Sequence, residues 1–491
     1  MVTDDDNRLI APCVAACPAQ VDVPRYMGYV ALGRFAEAHA TVREAIPLPV
    51  ACGLICYRPC EPWCRRGIME EPVAINAVKR AAWEHDRSGP WRSEWSRQIA
   101  LPTGRRIAVV GSGPAGLTAA YYLARRRGHH VTIFEAMPEL GGQLRYGLPE
   151  YKVPREALRN EIALLTETRV NVKTGVRVQS IDRVASEFDA VLLAIGQTKP
   201  TPLDVRGKGV KGVRWASRFL QDVNLGKRPA IGSRVVVLGG NNVAFDSARC
   251  AVRLGAEDVR VVMPVPRAFA AAHDFEVVAA EEEGVLAEEM TQAVRLAKSG
   301  DGVSVTLERL QVVHTDDVGR ETYGPVSGSR VTLEADSVLV SMGQEADVPF
   351  EWDVASEEWG VLKVDGEEQA TSRRGVFAGG DVVTGPGSIV DAMDQGKRAA
   401  RSIDRYLGGD GDIAERFTAA PGDEMTMPLD LAAQGKPAVR MKLSKGNART
   451  IGFELVEQGY SASEAKAEAR RCIRCDLWRS EIPDVWSKQQ G

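Results

Sequence analysis

The sequence predicts an α/β protein with two nested Rossmann-like nucleotide-binding domains, preceded by a small helical domain rich in cysteine. Three observations support this fold class. A strand, a Gly-x-Gly-x-x-Gly loop, a helix and a second strand follow one another over residues 107–136. A similar succession of strand, glycines, helix and strand begins at Arg234. Six of the nine cysteines lie within the first hundred residues, before either succession begins.

Length and composition are those of an ordinary globular protein. The chain has 491 residues, of which 44% are hydrophobic and 26% charged, with a formal net charge of −4. About 150 residues per domain predicts about three domains. The acidic balance argues against a nucleic-acid partner, and no apolar run approaches the roughly 18 residues of a membrane span. The start, MVTDDDNRLIAPC, is acidic where a signal peptide is basic, so we expect a cytoplasmic protein with reduced thiols.

The first glycine loop is the expected site of a dinucleotide. Gly111 makes the tight turn, Gly113 lets the backbone approach a pyrophosphate, and Gly116 lets helix and strand pack closely. The free N–H groups at the helix start favour the anion. Glu135 ends the second strand, where an acid accepts a hydrogen bond from a ribose hydroxyl. Chance glycines in a loop are the alternative, but the whole succession is in register. Neighbouring candidate residues are Ser112, Pro114, Ala115 and Ala136.

Two later segments are expected to complete this first site. In GGQLRYGLPEYKVP (141–154), the paired glycines and Arg145 suit close approach to the rest of a long dinucleotide. After the strand ending at Ala378, Asp381 can hydrogen-bond a ribitol hydroxyl, and a helix starting near Ser388 can aim its N-terminus at the pyrimidine edge of a flavin. This later segment belongs with the first domain, which makes the second domain an insertion. Further candidates are Gly142, Gln143, Leu144, Val176, Gly196, Gly380 and Ile389.

The second domain repeats the plan of the first. Its glycine loop, GGNNVAFDSARC, follows a strand at 234–238 and enters a helix. The strand and Gly-Gln turn DSVLVSMGQ (336–344) match DAVLLAIGQ (189–197). Candidate dinucleotide residues here are Gly239, Gly240, Asn241, Asn242, Val243, Arg267 and Gly343.

The early cysteines indicate a metal centre. After a Cys-x-x-x-Cys-Pro opening at Cys13 and Cys17, four more thiols are spaced by four residues, and Pro59 and Pro62 rule out a regular helix through them. We therefore expect a loop that wraps an iron–sulfur cluster. All-cysteine ligation favours [4Fe–4S] over structural zinc, which usually uses paired Cys-x-x-Cys or Cys/His sets, and over buried structural thiols. The four spaced thiols are Cys52, Cys56, Cys60 and Cys64.

A second cysteine pair lies near the other end of the chain, as Cys472-x-x-Cys475. Eight clustered thiols suffice for two four-cysteine clusters. The late pair is open to three interpretations: an unligated remnant, a ligand for a partner chain, or a segment that folds back to complete the early set. Cys250 stands alone on a predicted helix, where we expect a buried small apolar residue.

These motifs resemble the small (β) subunit of bacterial glutamate synthase and its relatives, which include the N-terminal half of dihydropyrimidine dehydrogenase and the flavin subunit of NADH-dependent ferredoxin:NADP oxidoreductase. The resemblance covers nearly the whole chain, including PCEPWCRRG, PVAINAVKRAAWE, GSGPAG and GGDVVTGPGSIVDAMDQG. It implies a disulfide-reductase-like flavoprotein with FAD, NAD(P)H and one or two [4Fe–4S] clusters that pass electrons to or from a partner catalytic subunit. Electron transfer of this kind requires no acid–base catalytic side chain.

The implied domains follow from this resemblance. They are a helical iron–sulfur domain at 1–100, an FAD-binding domain in two parts at 101–225 and 346–410, an inserted NAD(P)-binding domain at 226–345, and a C-terminal extension at 411–491.

Two departures from the family pattern qualify these expectations. Relatives open with an additional Cys-x-x-Cys, which residues 7–12 lack, and Cys472-x-x-Cys475 looks like the missing piece. In the second domain, Asn241 replaces a third glycine; asparagine adopts the left-handed conformation less readily, and its side chain would crowd a pyrophosphate. Paired arginines that clamp a 2′-phosphate are reduced to Arg267, so NADH is slightly favoured over NADPH.

Two alternatives to a nicotinamide-dependent subunit stay open. The nicotinamide site is degenerate in the first, which leaves a relay or scaffold subunit between partners. The second is a self-contained flavin reductase or disulfide-type oxidoreductase. Elsewhere, Arg125–Arg127 are expected at a solvated helix end and Glu281–Glu283 in an exposed turn. Trp478 and Trp486 are candidates for a partner-docking surface.

Overall fold

The computed structural model describes residues 10–87, 89, 91–349, 352–357, 360–418, 437–445 and 448–477. Trp478 and Trp486, the candidates for partner docking, lie outside these residues. Among the described residues, no helix is long and apolar enough to cross a membrane.

Among the described residues, only helices precede the first strand. The helical segment over residues 23–45 is divided at Gly33, whose φ of +80° ends one helix before the next begins. The helices are α1 (Pro12–Ala15), α2 (Val23–Ala31), α3 (Phe35–Ala45), α4 (Pro49–Ile55), α5 (Arg66–Met69), α6 (Ile75–Glu84) and α7 (Trp91–Arg97).

The first nucleotide-binding domain is built on a parallel sheet of five strands in the order β16-β4-β1-β2-β3. Its central strands are short apolar runs buried on both faces, as parallel strands between helices require. The strands are β1 (Arg106–Val110), β2 (His130–Glu135), β3 (Val170–Thr174), β4 (Ala190–Leu193) and β16 (Val376–Ala378). The helices are α8 (Pro114–Tyr121), α9 (Gln143–Tyr146), α10 (Arg155–Thr166), α11 (Ile181–Glu187), α15 (Asp381–Thr384) and α16 (Ile389–Tyr406).

The second nucleotide-binding domain lies between β4 and β16 in the chain and has its own parallel sheet, ordered β6-β14-β7-β8-β9. An antiparallel extension packs beside it. The parallel strands are β6 (Val213–Trp215), β7 (Arg234–Leu238), β8 (Asp258–Val262), β9 (Leu286–Glu288) and β14 (Ser337–Val340), with helices α12 (Ala216–Asn224), α13 (Asn242–Arg253) and α14 (Asp274–Glu281). The extension comprises β10 (Thr291–Ser299), β11 (Gly302–Thr315), β12 (Glu321–Pro325) and β13 (Val331–Ala335).

The two domains are joined by a short antiparallel pair, β5 (Lys199–Pro200) with β15 (Gln344–Glu345). These strands follow the two matching Gly-Gln turns, so the internal repeat recognised in the sequence is also the connection between the domains. Because β16 returns to the first sheet after β14, the second domain is inserted into the first. The predicted fold class, two nested Rossmann-like domains behind a helical domain, is confirmed.

The last described segment of the chain, 448–477, lies against the helical domain. Helices α17 (Ala448–Ile451) and α18 (Ala462–Ala469) follow the first domain, and a 3₁₀ turn spans Cys475–Leu477. Helix α18 packs against α2 and α6. The segment that precedes Cys472 therefore contacts the cysteine-rich domain.

Candidate functional site

A cavity of about 1400 Å³ lies where the two nucleotide-binding domains and the cysteine-rich domain meet. Val110 and Val340, at the carboxyl ends of β1 and β14, both line it. Ligands of open parallel sheets bind at this edge. The cysteine-rich domain contributes the segment 54–58. One cavity is therefore bordered by all three parts of the protein.

Most of the predicted dinucleotide residues line this cavity. They are Gly111, Ser112, Gly113, Pro114, Ala115, Glu135, Ala136, Gly142, Gln143, Leu144, Val176, Gly196, Gly380, Asp381, Ser388, Ile389, Asn241, Asn242, Val243 and Gly343.

The first glycine loop has the geometry of a pyrophosphate cradle. A Cβ at Gly111 would lie 2.3 Å from the carbonyl oxygen of Ala194, and one at Gly116 would lie 2.2 Å from that of Gly111. These two glycines permit close packing of strand, turn and helix. A Cβ at Gly113 would meet no atom within 4 Å, so this backbone faces open space. The loop therefore fits a group that approaches the backbone at Gly113.

Glu135 is buried beside this loop. Its Oε2 accepts hydrogen bonds from both the backbone N–H (3.1 Å) and the hydroxyl of Ser112, and its Oε1 accepts from the backbone N–H of Met137 at 2.8 Å. The carboxylate is thereby fixed at the cavity wall. Its position fits the predicted contact with a ribose hydroxyl.

The far wall of the cavity is formed by the segment after β16. Ser388 caps α16 by accepting from the backbone N–H of Asp391, which in turn accepts from Ser388. The start of this 18-residue helix lies at the cavity. Asp381 also faces it, and burial raises the pKa of this carboxyl to about 6. A polar group at Asp381 and the positive end of a helix dipole thus face the cavity together.

Arg145 is placed differently from the expectation. Its Nε donates to the carbonyl oxygen of Leu140 at 2.7 Å, and its Nη1 lies 2.8 Å from Glu139. The guanidinium is buried, and these two contacts stabilise the segment that leads into the Gly-Gly turn. The sequence could not separate this supporting role from direct contact with a dinucleotide.

The second glycine loop copies the first. A Cβ at Gly239 would lie 2.1 Å from the carbonyl oxygen of Ser341, which matches the pairing of Gly111 with Ala194. Gly240 lies against Met263, where a side chain would have little room. The left-handed conformation considered for Asn241 does not occur, since its φ is −106°. Its side chain caps α13 at Ala244 and bonds Ser341, because an extended N-cap asparagine satisfies free N–H groups of the helix.

Arg267 lies away from the cavity lining. Its Nε is 2.7 Å from Asp274 and its Nη1 is 3.0 Å from Glu281. Two carboxylates therefore neutralise the guanidinium that the sequence offered as the remaining contact for a 2′-phosphate.

Two groups of side chains at the cavity, an ion-paired lysine and an aromatic stack, were not predicted from the sequence. The Nζ of Lys152 lies 2.6 Å from both Asp246 and Glu276. The rings of Tyr57 and His273 stack with centroids 5.5 Å apart. Lys152 belongs to the quoted motif GLPEYKVP, which was a signal for it; the stack joins two domains and no local pattern could have revealed it.

The cysteines divide into two groups. The first contains Cys17, Cys52, Cys56 and Cys60. A hydrogen bond with Cys52 lowers the pKa of the Cys56 thiol to about 5, and burial raises the pKa of the Cys60 thiol, with further increases from Cys56 and Cys17. Lys79 donates to Sγ of Cys52 at 3.0 Å. The expected loop is interrupted here, because Cys52 lies on α4, which ends before Pro59.

The second group contains Cys13, Cys64, Cys472 and Cys475. Burial raises the pKa of the Cys13 thiol, with further increases from Cys472, Cys475 and Cys64 and then from Cys60 of the first group. The pKa of Cys472 rises to about 12 and that of Cys475 to about 11, in both cases chiefly through burial. The late pair lies at one small cavity with Cys13 and Cys64, which is the placement that the fold-back interpretation requires.

The ninth thiol, Cys250, is fully buried on α13, as expected of a small apolar residue. Among the described residues, no group of three or more His, Cys, Asp or Glu is arranged to hold a metal ion. A [4Fe–4S] cluster distributes four thiolates over several irons, so its ligands need not converge on one point. Two groups of four thiols fit this donor set, the first buried and the second with Cys64, Cys472 and Cys475 half-buried.

Comparison with known proteins identifies the family. Residues 105–396, more than half of the chain, match the model described as pyridine nucleotide-disulphide oxidoreductase. Residues 9–90 match the model described as dihydropyrimidine dehydrogenase domain II, 4Fe-4S cluster.

Individual relatives agree with these matches. The chain is 37% identical to a Moorella thermoacetica protein named NADP(+)-dependent formate dehydrogenase subunit beta, over 95% of this chain and 70% of that protein. It is 31% identical to the Azospirillum brasilense glutamate synthase (NADPH) small chain, over 80% of this chain and 86% of that one. The resemblance stated from the motifs is confirmed.

A solved structure supports the fold. FprA of Mycobacterium tuberculosis, in complex with NADPH, covers 74% of this chain and 99% of its own, with a TM-score of 0.55 and 17% identity. The chain therefore belongs to the pyridine nucleotide-disulphide oxidoreductase family, and it is an NAD(P)H-dependent FAD and iron–sulfur oxidoreductase.

Proposed function

We propose that this protein is the electron-transfer flavoprotein subunit of a larger oxidoreductase, which moves electrons between NAD(P)H and a partner catalytic subunit through FAD and [4Fe–4S] clusters. One observation carries the proposal. Cys56 and Tyr57 of the cysteine-rich domain line the same cavity as Gly113 of the first glycine loop and Asn242 of the second. The two nucleotide sites and one cysteine group therefore share a single space.

The chain's own residues would hold the cofactors in this arrangement. The backbone at Gly113 would receive the FAD pyrophosphate and Glu135 a ribose hydroxyl, while Asp381 and the start of α16 would contact the ribitol and the flavin ring. When bound, FAD supplies the conversion between hydride and one-electron transfer, and the clusters supply one-electron carriers. No residue of the cavity has to act as an acid or base.

The cysteine group at the cavity is the natural first acceptor. Cys56 borders the cavity, whereas Cys13, Cys64, Cys472 and Cys475 surround a separate small cavity. Tyr26 is fully buried near Cys60 and Cys13, which belong to different groups. Electrons would thus pass from the flavin site to the inner group, which contains Cys56, and then to the outer group of Cys13, Cys64, Cys472 and Cys475.

For the nicotinamide, we propose NADH as the preferred donor. Arg267 is held by Asp274 and Glu281 outside the cavity lining, which leaves this loop without the paired arginines that suit a phosphate. The Moorella relative's name specifies NADP(+), so NADPH is the competing donor.

A relay subunit with a degenerate nicotinamide site is the second candidate function. The observation favouring it is an aromatic stack beside the second glycine loop: Tyr57 stacks on His273, which stacks on Phe275 with centroids 5.4 Å apart. The backbone N–H of His273 donates to Asn242 of that loop at 3.0 Å. A nicotinamide would have to fit beside this stack or displace it.

Two further proposals, a catalytic partner and a cellular location, rest on the relatives and on the thiols. The Moorella and Azospirillum proteins are named as subunits, so we propose a catalytic partner for this chain as well. None of the nine cysteines forms a disulfide bond. Reduced thiols suit a cytoplasmic location.

Anaerobic titration of the purified, reconstituted protein with NADH and with NADPH tests the proposal. We expect NADH to bleach the flavin absorbance near 450 nm at lower concentration than NADPH. Bleaching by NADPH alone would reverse the donor assignment. Bleaching by neither, with dithionite still reducing flavin and clusters, would favour the relay subunit.

A further inference from the structure

The tail of the chain completes a second four-cysteine site. Cys472 and Cys475 border one small cavity together with Cys13 and Cys64. These thiols come from three regions far apart in sequence. The cavity is otherwise lined mainly by apolar groups, and Trp63 at its edge is 67% exposed. The site therefore lies near the protein surface.

The contacts that hold the tail are specific and buried. Glu468 on α18 is fully buried and accepts from the backbone N–H groups of Ala74 at 2.8 Å and Val439 at 2.7 Å. Its partner is Arg471, at 2.7 Å. Arg471 also donates to the carbonyl oxygens of Glu71 (2.6 Å) and Pro72 (3.2 Å).

These contacts fix the position of the late cysteines. Arg471 directly precedes Cys472, and the segment 71–74, which Arg471 and Glu468 bind together, follows Cys64 closely in the chain. A buried charge pair is costly unless its hydrogen bonds are satisfied, and here both partners bond the backbone of the cysteine-rich domain. The late pair is thus held against Cys13 and Cys64 by contacts that do not themselves involve sulfur.

The remaining thiols form a separate set of four. Cys52, Cys56 and Cys60 lie around Lys79, and Cys17 lies near Cys60. The matched iron–sulfur model spans residues 9–90 and so includes six of the eight clustered thiols but neither late cysteine. The six divide as four and two, and the tail supplies the two that the outer set lacks.

We propose that Cys13, Cys64, Cys472 and Cys475 bind a second [4Fe–4S] cluster, half of whose ligands come from the C-terminal segment. Four thiolates are the ligand number of this cluster. The inference rests on the proposed function, since a second carrier near the surface extends the path from the flavin cavity toward a partner.

Metal analysis of full-length variants, reconstituted anaerobically, tests the site. We expect about eight irons per wild-type chain and about four in the double variant Cys472→Ser/Cys475→Ser, with one of two electron paramagnetic resonance signals lost. Cys13→Ser should lose the same signal, and Cys52→Ser/Cys56→Ser the other. Cys250→Ser, which changes a buried thiol outside both groups, should keep about eight irons.

Two results would overturn the proposal. Unchanged iron in the Cys472→Ser/Cys475→Ser variant excludes the late pair as ligands. About four irons and one zinc in the wild type would assign the outer site to zinc. A failure of the proposed electron donor is seen separately, because it would appear as absent flavin bleaching by NADH in the wild type with its iron content unchanged.

A measurement on the wild type avoids any dependence on variant folding. Alkylation of the native holoprotein followed by mass spectrometry should leave Cys472 and Cys475 unlabelled. After iron is removed by a chelator, they should be labelled together with Cys13 and Cys64. Labelling of the late pair in the holoprotein would contradict the proposal.

Discussion

Lys79 on α6 donates a hydrogen bond to Sγ of Cys52 on α4 across 3.0 Å, and both side chains are buried. A charged donor at this distance stabilises negative charge on the sulfur. Hydrogen bonds to cluster sulfurs are among the factors that set reduction potential. Lys79, a residue of the motif PVAINAVKRAAWE, therefore influences the reduction potential of a cluster held by the inner cysteine group, which contains Cys52.

Replacement of Lys79 by methionine should lower the reduction potential of the inner cluster, because the reduced, more negative state loses its nearest cation. A redox titration followed by electron paramagnetic resonance measures this change. Lys79→Arg keeps the charge and should shift the potential less. Lys298→Met, an exposed lysine on β10, is the remote control. Equal potentials in wild type and Lys79→Met would show that the pair does not tune the cluster.

Glu161 should make stability depend on pH. Buried on α10, it accepts from the backbone N–H groups of Val50 (2.6 Å) and Ala51 (2.9 Å) at the start of α4. Burial raises its pKa from 4.5 to about 7. The folded state thus binds the proton more tightly than the unfolded state, and this contribution to stability is lost as pH rises from about 4.5 through 7.

The urea midpoint, followed by tryptophan fluorescence, measures the Glu161 effect. Between pH 5 and 7 the wild-type midpoint should fall more steeply than that of Glu161→Gln, which does not titrate. Glu161→Ala should cost about 1–3 kcal/mol, since it leaves two buried donors without an acceptor. Parallel pH profiles for wild type and Glu161→Gln would contradict the assignment.

The glycines of the first loop should separate folding from cofactor binding. Gly113→Ala places a methyl group in open space, at a φ of −68° that alanine adopts readily, so the protein should fold but bind FAD weakly. Gly116→Ala drives a methyl group against a carbonyl oxygen and should destabilise the domain itself. Gly366→Ala, also in open space but distant from the cavity, is the matched control.

Flavin content per chain and thermal midpoint together distinguish these variants. The expected pattern is low flavin with a normal apoprotein midpoint for Gly113→Ala, and a lowered apoprotein midpoint for Gly116→Ala. Full flavin content in Gly113→Ala would mean that the pyrophosphate does not approach this backbone.

Arginines restored to the loop after β8 should improve use of NADPH. The double variant Pro264→Arg/Val265→Arg supplies charge-assisted donors for a 2′-phosphate, worth about 1.5–3 kcal/mol, or about tenfold or more in affinity. Flavin bleaching at graded NADPH concentrations measures it. Arg267→Ala should change neither NADH nor NADPH titrations, because Arg267 is held by carboxylates; a selective loss with NADPH would overturn this view.

The fold was largely predictable because its signals are local. Strand, glycine turn, helix and acid lie in one stretch, and the match of DAVLLAIGQ to DSVLVSMGQ revealed the repeat. Gly111 and Gly239 occupy equivalent turns against Ala194 and Ser341. Only the insertion of one domain into the other required a longer-range inference, and it came from the segment around Asp381.

Charged residues were less predictable because their partners are remote in sequence. Arg125 was expected at a solvated helix end, yet it is buried, with its guanidinium 3.7 Å from the ring centre of Trp95 and its Nε 3.6 Å from Glu415. Glu283 was expected in an exposed turn, yet it is buried against Arg249 and Arg253. A charge pattern read along one helix cannot reveal such partners.

The most direct test of the central claim is to mix the anaerobic, fully loaded protein with one equivalent of NADH and freeze samples at successive times. We expect the flavin absorbance to fall first and the paramagnetic signals of reduced clusters to follow, with about two electrons recovered per NADH. Consumption of NADH without any cluster reduction would contradict an electron path from the shared cavity to the cysteine groups.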